Sequence, residues 1–260
     1  MKQMAFGIST SCLYPLETEK SLEELGRLGV KTCEVFLNSP SETTPEFTKN
    51  LNQISAEYGI KITSVHPFSS FAETYMLFSE YQKRFDDMLD FYKRNFEVTS
   101  MLGAHISVIH GSLLPGKINK NEYIERFAVL CEAGREFGVK VAQENVNRHF
   151  SESPDFITTM KNALGDYFYL VFDVKQAVRA GYNPLEFAEK FKDDIIHIHI
   201  SDHDQNHDCL PPAEGCFDFK KLISIMNSAD YSGDYIIELY RENFGKPQDL
   251  KKALDYMQNL

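Results

Sequence analysis

The sequence predicts an α/β chain folded as a single (β/α)8 TIM barrel over residues 1–260, and three observations predict it. Eight short runs rich in Val, Ile and aromatics recur along the chain, as buried parallel strands do. Amphipathic segments with 3.6-residue spacing separate them. No linker, charge block or low-complexity stretch divides the chain, and about 250 residues is usual for a barrel built as one unit.

The first run, Met4–Ser9, leads into Ser9-Thr10-Ser11-Cys12-Leu13-Tyr14-Pro15. It lacks the GxGxxG loop that an open, dinucleotide-binding sheet carries at this point. Gly29 stops the next helical segment, and Thr32–Leu37 is the second run. Thr44-Pro45 then opens a helix with Phe47, Leu51, Ile54 and Tyr58 on one face, and Gly59 ends it. After the third run, Lys61–His66, comes the clearest stripe: Phe78, Tyr81, Phe85, Met88, Leu89, Tyr92 and Phe96. We read it as core, not as a cofactor box. The fourth run, His105–His110, precedes a face of Tyr123, Phe127, Leu130, Cys131 and Phe137 that stops at Gly138. Lys140–Asn145 is the fifth run, with Ser153-Pro154 starting the helix behind it. Tyr169–Asp173, Ile195–Ser201 and Tyr235–Tyr240 complete the set, and Asn183-Pro184 opens a helix between the first two of these. Eight units in strict alternation favour closure.

The net charge of −11 argues against a nucleic-acid partner, which needs a basic face. No apolar stretch approaches the roughly 20 residues that span a bilayer, and Met1-Lys2-Gln3-Met4 does not read as a signal peptide. A soluble, cytoplasmic protein is expected. The five cysteines include no CxxC pair, which excludes an obvious zinc knuckle and argues against a disulfide framework. Cys33 and Cys131 sit in apolar patterns and are expected to pack.

Polar residues stand at the C-terminal ends of nearly every run: Glu34, His66, His110, Glu144, Asp173, His199 and Glu238. In a barrel these ends meet on one face. Any one has a bland reading, as a solvated loop carboxylate or a satisfied core histidine. Crowded together they would repel and desolvate one another unless a cation neutralised them. His197, two before His199, points the same way one layer deeper and is expected to be buried and structural. Glu34 reads as a loop carboxylate or a rim acceptor.

Gln143-Glu144-Asn145, Phe172-Asp173-Val174-Lys175-Gln176, His197-Ile198-His199-Ile200-Ser201-Asp202, Ala213-Glu214-Gly215-Cys216-Phe217-Asp218 and Ile237-Glu238-Leu239 together resemble the xylose isomerase-like barrel superfamily. Val65-His66-Pro67 and Val108-Ile109-His110-Gly111-Ser112 extend the resemblance over essentially the whole chain. The superfamily holds sugar isomerases, ketose 3-epimerases, inosose-pathway enzymes and endonuclease IV. The resemblance implies one divalent ion held by Glu144, Asp173, His199 and Glu238. Three carboxylates and an imidazole suit Mn²⁺ or Mg²⁺ and tolerate Co²⁺ or Zn²⁺. It further implies that Glu144 and Glu238 are catalytic, moving protons on and off a metal-stabilised enediolate.

Departures narrow the reading. Gln176 stands where the superfamily often has a metal-binding histidine, and it suits a sugar hydroxyl instead. His207-Asp208-Cys209 replaces the Asp-x-His pair of endonuclease IV. Ser201-Asp202-His203-Asp204-Gln205-Asn206 lacks the arginine that ketose 3-epimerases carry after the metal-binding histidine. His66 and His110 are expected either to contact substrate or to make structural hydrogen bonds. Arg148 and Lys175 are the basic candidates for an anionic substrate group, with a surface ion pair as the plainer alternative. Glu214 is expected either to close the mouth or to lie solvated in its loop. The expected activity is a metal-dependent isomerase or epimerase of a sugar, sugar phosphate or polyol. An inosose-type dehydratase, an endonuclease IV-like phosphodiesterase and a non-catalytic binding barrel are the alternatives. The expected partner is a small carbohydrate or polyol, not nucleic acid or a membrane; a homo-oligomer stays open.

Overall fold

The computed structural model describes residues 4–68 and 70–260, so the first three residues of the chain, including most of the N-terminal stretch discussed above, lie outside it. Eight parallel strands close into a barrel in sequence order, and the last pairs with the first. They are β1 (Ala5–Ser9), β2 (Thr32–Leu37), β3 (Lys61–Pro67), β4 (Ile106–Ile109), β5 (Lys140–Glu144), β6 (Leu170–Asp173), β7 (Ile195–Ile200) and β8 (Asp234–Ile237). Around them run α1 (Thr18–Arg27), α2 (Pro45–Tyr58), α3 (Ser70–Glu73), α4 (Gln82–Met101), α5 (Lys120–Glu136), α6 (Pro154–Leu164), α7 (Val174–Arg179), α8 (Pro184–Phe191), α9 (Phe219–Asn227) and α10 (Pro247–Gln258).

The punctuation acts as the residue types require. Thr44, Ser153 and Asn183 each accept a backbone N–H of the helix they open, with proline in its first turn. Gly29, Gly59 and Gly138 take the left-handed conformation after α1, α2 and α5. The aromatic stripe begins later than its spacing suggests. Tyr81 is only the cap of α4 and is exposed, because its N–H turns back to Ser79 Oγ. Phe78, before the helix, is buried and stacks on Tyr123 at 4.0 Å between centroids.

All eight strands fall where the apolar runs are, with ends moved by up to three residues. The largest difference is in β8, which stops at Ile237 instead of Tyr240. Leu239 N–H leaves the ladder for Cys12 Sγ at 3.3 Å, so Glu238 is one residue beyond the strand.

Two cores result. The main one fills the space between the barrel and its helices, and Cys33 and Cys131 are packed into it. A small separate cluster of Val108, Ala142 and Val171 lies two residues before His110, Glu144 and Asp173 on their strands. Side chains two apart share a face, so this cluster forms the apolar floor directly beneath those polar residues.

Candidate metal and active site

Register brings the polar strand ends to one level. Asp173 pairs with His199 across β6 and β7, and Glu144 pairs with Val171 across β5 and β6. One ligand atom from each of Glu144, Asp173, His199 and Glu238 can be chosen so that all lie within 4.8 Å of one another. His199 is their hub. Its Nδ1 stands 3.3 Å from Glu144 Oε1, 3.5 Å from Glu238 Oε2 and 3.7 Å from Asp173 Oδ2.

The ring is aimed that way from below. Glu34, fully buried on β2, sets Oε2 3.1 Å from His199 Nε2, 3.1 Å from His197 Nε2 and 2.8 Å from Ser64 Oγ. A register shift between Cys33 and Glu34 sets Glu34 opposite Ser64 on β3. As the acceptor of an Nε2–H, Glu34 leaves the other ring nitrogen of His199 to the three carboxylates. Glu34 is thus neither a loop carboxylate nor a rim acceptor, the two readings its strand-end position offered. It orients His199, and His197 is buried beside it, sharing Glu34 and Ser64. Burial pushes the Glu34 carboxyl up, but the His199 and His197 rings outweigh it and hold it well below the usual carboxylate range. Burial disfavours a charged His199, yet Glu34 and Glu238 hold it well above the usual imidazole range.

His66 and His110 join the cluster from β3 and the end of β4. Their Nε2 atoms are 2.9 Å apart, and His110 Nε2 is 2.8 Å from Glu144 Oε2. His66 Nδ1 lies 3.0 Å from the Pro67 carbonyl, and Phe36 stacks on its ring. His66 therefore has structural bonds, while His110 reaches the cavity above.

That cavity measures about 290 Å³. Tyr14, Phe36, Leu239 and Tyr240 supply its apolar lining, and Ser11, Asn38, His110, Lys175, Gln176 and Glu238 its polar lining. Gln176 lines it while accepting the Asn147 N–H at 3.2 Å. Three expected substrate contacts, His66, Arg148 and Glu214, are absent from the lining. Arg148 is exposed in the loop after β5, in a left-handed conformation that Glu152 secures by accepting its N–H at 2.6 Å. Glu214 is exposed on the loop after β7.

Lys175 also departs from expectation. It is neither a surface ion pair nor a free rim cation: it is 3% exposed, and its Nζ bonds to both Asp173 Oδ2 and Glu238 Oε2. Burial alone would discharge it, but Asp173 and Glu238 hold its pKa well above the usual lysine range. The donor set nevertheless fits a divalent ion. Oxygen and nitrogen ligands at about 2.0–2.6 Å from one centre lie at most about 5 Å apart, as these do. His199 Nδ1, directed into three carboxylates, is likewise arranged for a positive charge between them.

Sequence reasoning missed the apolar cavity wall and one organising carboxylate. Asp202, buried just after β7, accepts the N–H groups of His203, Ala213, Gly215 and Phe217 at 2.8, 3.1, 3.0 and 2.9 Å. Its backbone also pairs with Leu210. A Cβ on Gly215 would collide with the Asp202 carboxylate and the His203 carbonyl, so this close approach needs glycine. The Asp202 and Gly215 pairing was the available signal.

The molecule is a closed parallel (β/α)8 barrel with a polar cluster at the C-terminal rim. Residues 22–260 match the model of the xylose isomerase-like TIM barrel, and the chain belongs to that family. A stretch of 98 residues is 32% identical to an uncharacterized protein of Methanocaldococcus jannaschii, spanning 37% of this chain and 42% of that one. Among solved structures, a D-tagatose 3-epimerase-like protein superposes with a TM-score of 0.83 at 20% identity, covering 98% of this chain and 96% of the other. The 3-keto-D-glucoside 4-epimerase of E. coli superposes with a TM-score of 0.77 at 15% identity, covering 99% and 100%. At these identities the likeness is one of fold.

Proposed function

We propose that the chain is a divalent-metal-dependent isomerase or epimerase of a small sugar or polyol, acting through an enediolate. The convergence of Glu144, Asp173, His199 and Glu238 from the ends of four consecutive strands, with Glu238 also lining the cavity, carries this reading. The two epimerase-type folds with full-length overlap support it.

A bound divalent ion, Mn²⁺ or Mg²⁺ by donor chemistry, would polarise a substrate carbonyl and offset charge developing beside it. Asp173 and His199 would serve the ion alone. Glu238, whose side chain is 12% exposed towards the cavity, would take the proton from the carbon next to the carbonyl. Glu144 would return a proton from the other side of the ring of strands, with His110 holding its second oxygen. Return to the opposite face of the same carbon inverts it, and return to the former carbonyl carbon, with the hydroxyl proton passing between the two oxygens, isomerises the sugar. Lys175 is the one lysine or arginine among the described residues lining the cavity, and in this structure it is taken up by Asp173 and Glu238 instead of facing a phosphate. With Arg148 outside the cavity, an uncharged sugar is the favoured substrate.

The test is solvent deuterium incorporation into a panel of ketoses, aldoses, keto-cyclitols and their phosphates with Mn²⁺ present. A neutral ketose or aldose should exchange and convert. Glu144→Gln and Glu238→Gln should each lose about 10²–10⁴-fold in turnover. Full turnover in both variants with metal bound would exclude the two-carboxylate mechanism.

A further inference from the structure

The cation that the structure places among the four converging side chains belongs to the protein. Lys175 Nζ bonds to Asp173 and Glu238, two of the four groups assigned to the metal, and it is buried with them. Its location follows from local geometry. Asp173 caps α7 by accepting the Gln176 N–H at 3.1 Å, which turns the chain sharply after β6. The first turn of the helix then carries Lys175 back over the carboxylates on either side of it. We propose that Lys175 is an intramolecular counter-cation that competes with the divalent ion, holding Asp173 and Glu238 when the metal is absent and releasing them when it binds. This inference rests on the metal site proposed above.

Charge and space both require the exchange. An ammonium shared by two carboxylates uses donor oxygens that the ion needs, and two positive centres on the same oxygens repel strongly at this burial. The lysine has somewhere to go. Where it bonds the two carboxylates its Nζ is already 5.9 Å from the Tyr240 ring centroid and its side chain lines the cavity, so a short swing takes it towards that ring and the open space. The device has two consequences. It keeps the buried carboxylates from facing one another unneutralised before metal arrives, and it lowers apparent metal affinity, because each binding event must displace the lysine.

The experiment measures Mn²⁺ binding by isothermal titration calorimetry at fixed pH and salt for the wild type, Lys175→Met and Lys175→Gln, alongside thermal melts of the metal-free proteins. Lys175→Met keeps the length of the side chain and removes its charge. It should bind Mn²⁺ at least 10-fold more tightly than the wild type, and its metal-free form should melt at a lower temperature. Lys175→Gln retains an N–H donor and should fall between the two. It also supplies the comparison if the Met variant fails to fold without metal. Equal or weaker Mn²⁺ binding by the folded variants would overturn the proposal, as would metal-free melts indifferent to the substitution. If the wild type binds no Mn²⁺ at millimolar concentration while Lys175→Met does, the counter-cation stands and metal-dependent turnover by the natural protein falls. If no protein in the series binds Mn²⁺, both fall.

Discussion

At the scale of single residues, burial decides which groups can react. Burial pushes the Cys12 and Cys131 thiols up to about 12, and it raises Cys33 and Cys209 as well. Cys216 alone is exposed among the five. Since the thiolate is the reactive form, iodoacetamide at neutral pH should label one cysteine in the native protein and five in denaturant, read by mass spectrometry. Rapid labelling of Cys12 in the folded state would contradict its packing against β8. Glu34 carries the second prediction. A buried carboxylate orienting a metal-binding histidine is commonly worth about 10–100-fold in metal affinity. Glu34→Gln should therefore weaken Mn²⁺ binding by that factor in calorimetry, and unchanged affinity would reduce Glu34 to a packing residue. Glu144, Asp173, His199 and Glu238 were visible in the sequence as polar residues at or near the ends of apolar runs, and the family resemblance singled them out from Glu34, His66 and His110 as a ligand set. The role of Glu34 was not. Its position on a run is just as visible, but the partners that turn it inward come from β3 and β7, more than 25 residues away in the chain.

At the scale of elements, the existence of each strand and helix was readable and the ends were not. Period-2 and period-3.6 patterns report which face is buried, whereas an end is set by one competing hydrogen bond, as Cys12 Sγ shows for β8. The loop after β7 was the least legible element, because one side chain organises it and no apolar period does. Asp202→Ala would strip the acceptor from four backbone donors. With part of that loss made good by water, the cost should be on the order of 2–4 kcal/mol in chemical denaturation. Limited proteolysis should then cut first between residues 203 and 216. A variant that melts and resists protease like the wild type would mean that the Leu210 pairing alone holds the loop.

At the scale of the whole molecule, a divalent ion would tie together β5, β6 and β7 and the residue that follows β8. Such an ion would bind only the folded arrangement, so it should stabilise by mass action. At 100 times its dissociation constant the gain is about 2.7 kcal/mol, or roughly 5–10 °C in melting temperature for a chain of this size. EDTA should reverse the shift, and a melting temperature indifferent to Mn²⁺ and EDTA would remove the ion from the site. Among the described residues no helix is long and apolar enough to cross a membrane. The barrel itself was legible from eight alternating units and their order. The cavity wall was not, since Tyr14, Phe36, Leu239 and Tyr240 look in sequence like any other core or loop apolar residue.

The same arrangement divides the barrel into two unequal inheritances. The proposed ion-holding groups all come from the second half of the chain, on or just after β5 to β8. Ser11, Tyr14, Phe36 and Asn38, which shape the cavity, come from the first 40 residues, around β1 and β2. If the proposed function holds, a change of substrate could begin in these opening βα units, while Gln176, Leu239 and Tyr240 contribute their share of the cavity from the ion-holding half. For directed evolution the search is small: four positions in two neighbouring loops and strand ends, selected against a background whose chemistry is held constant.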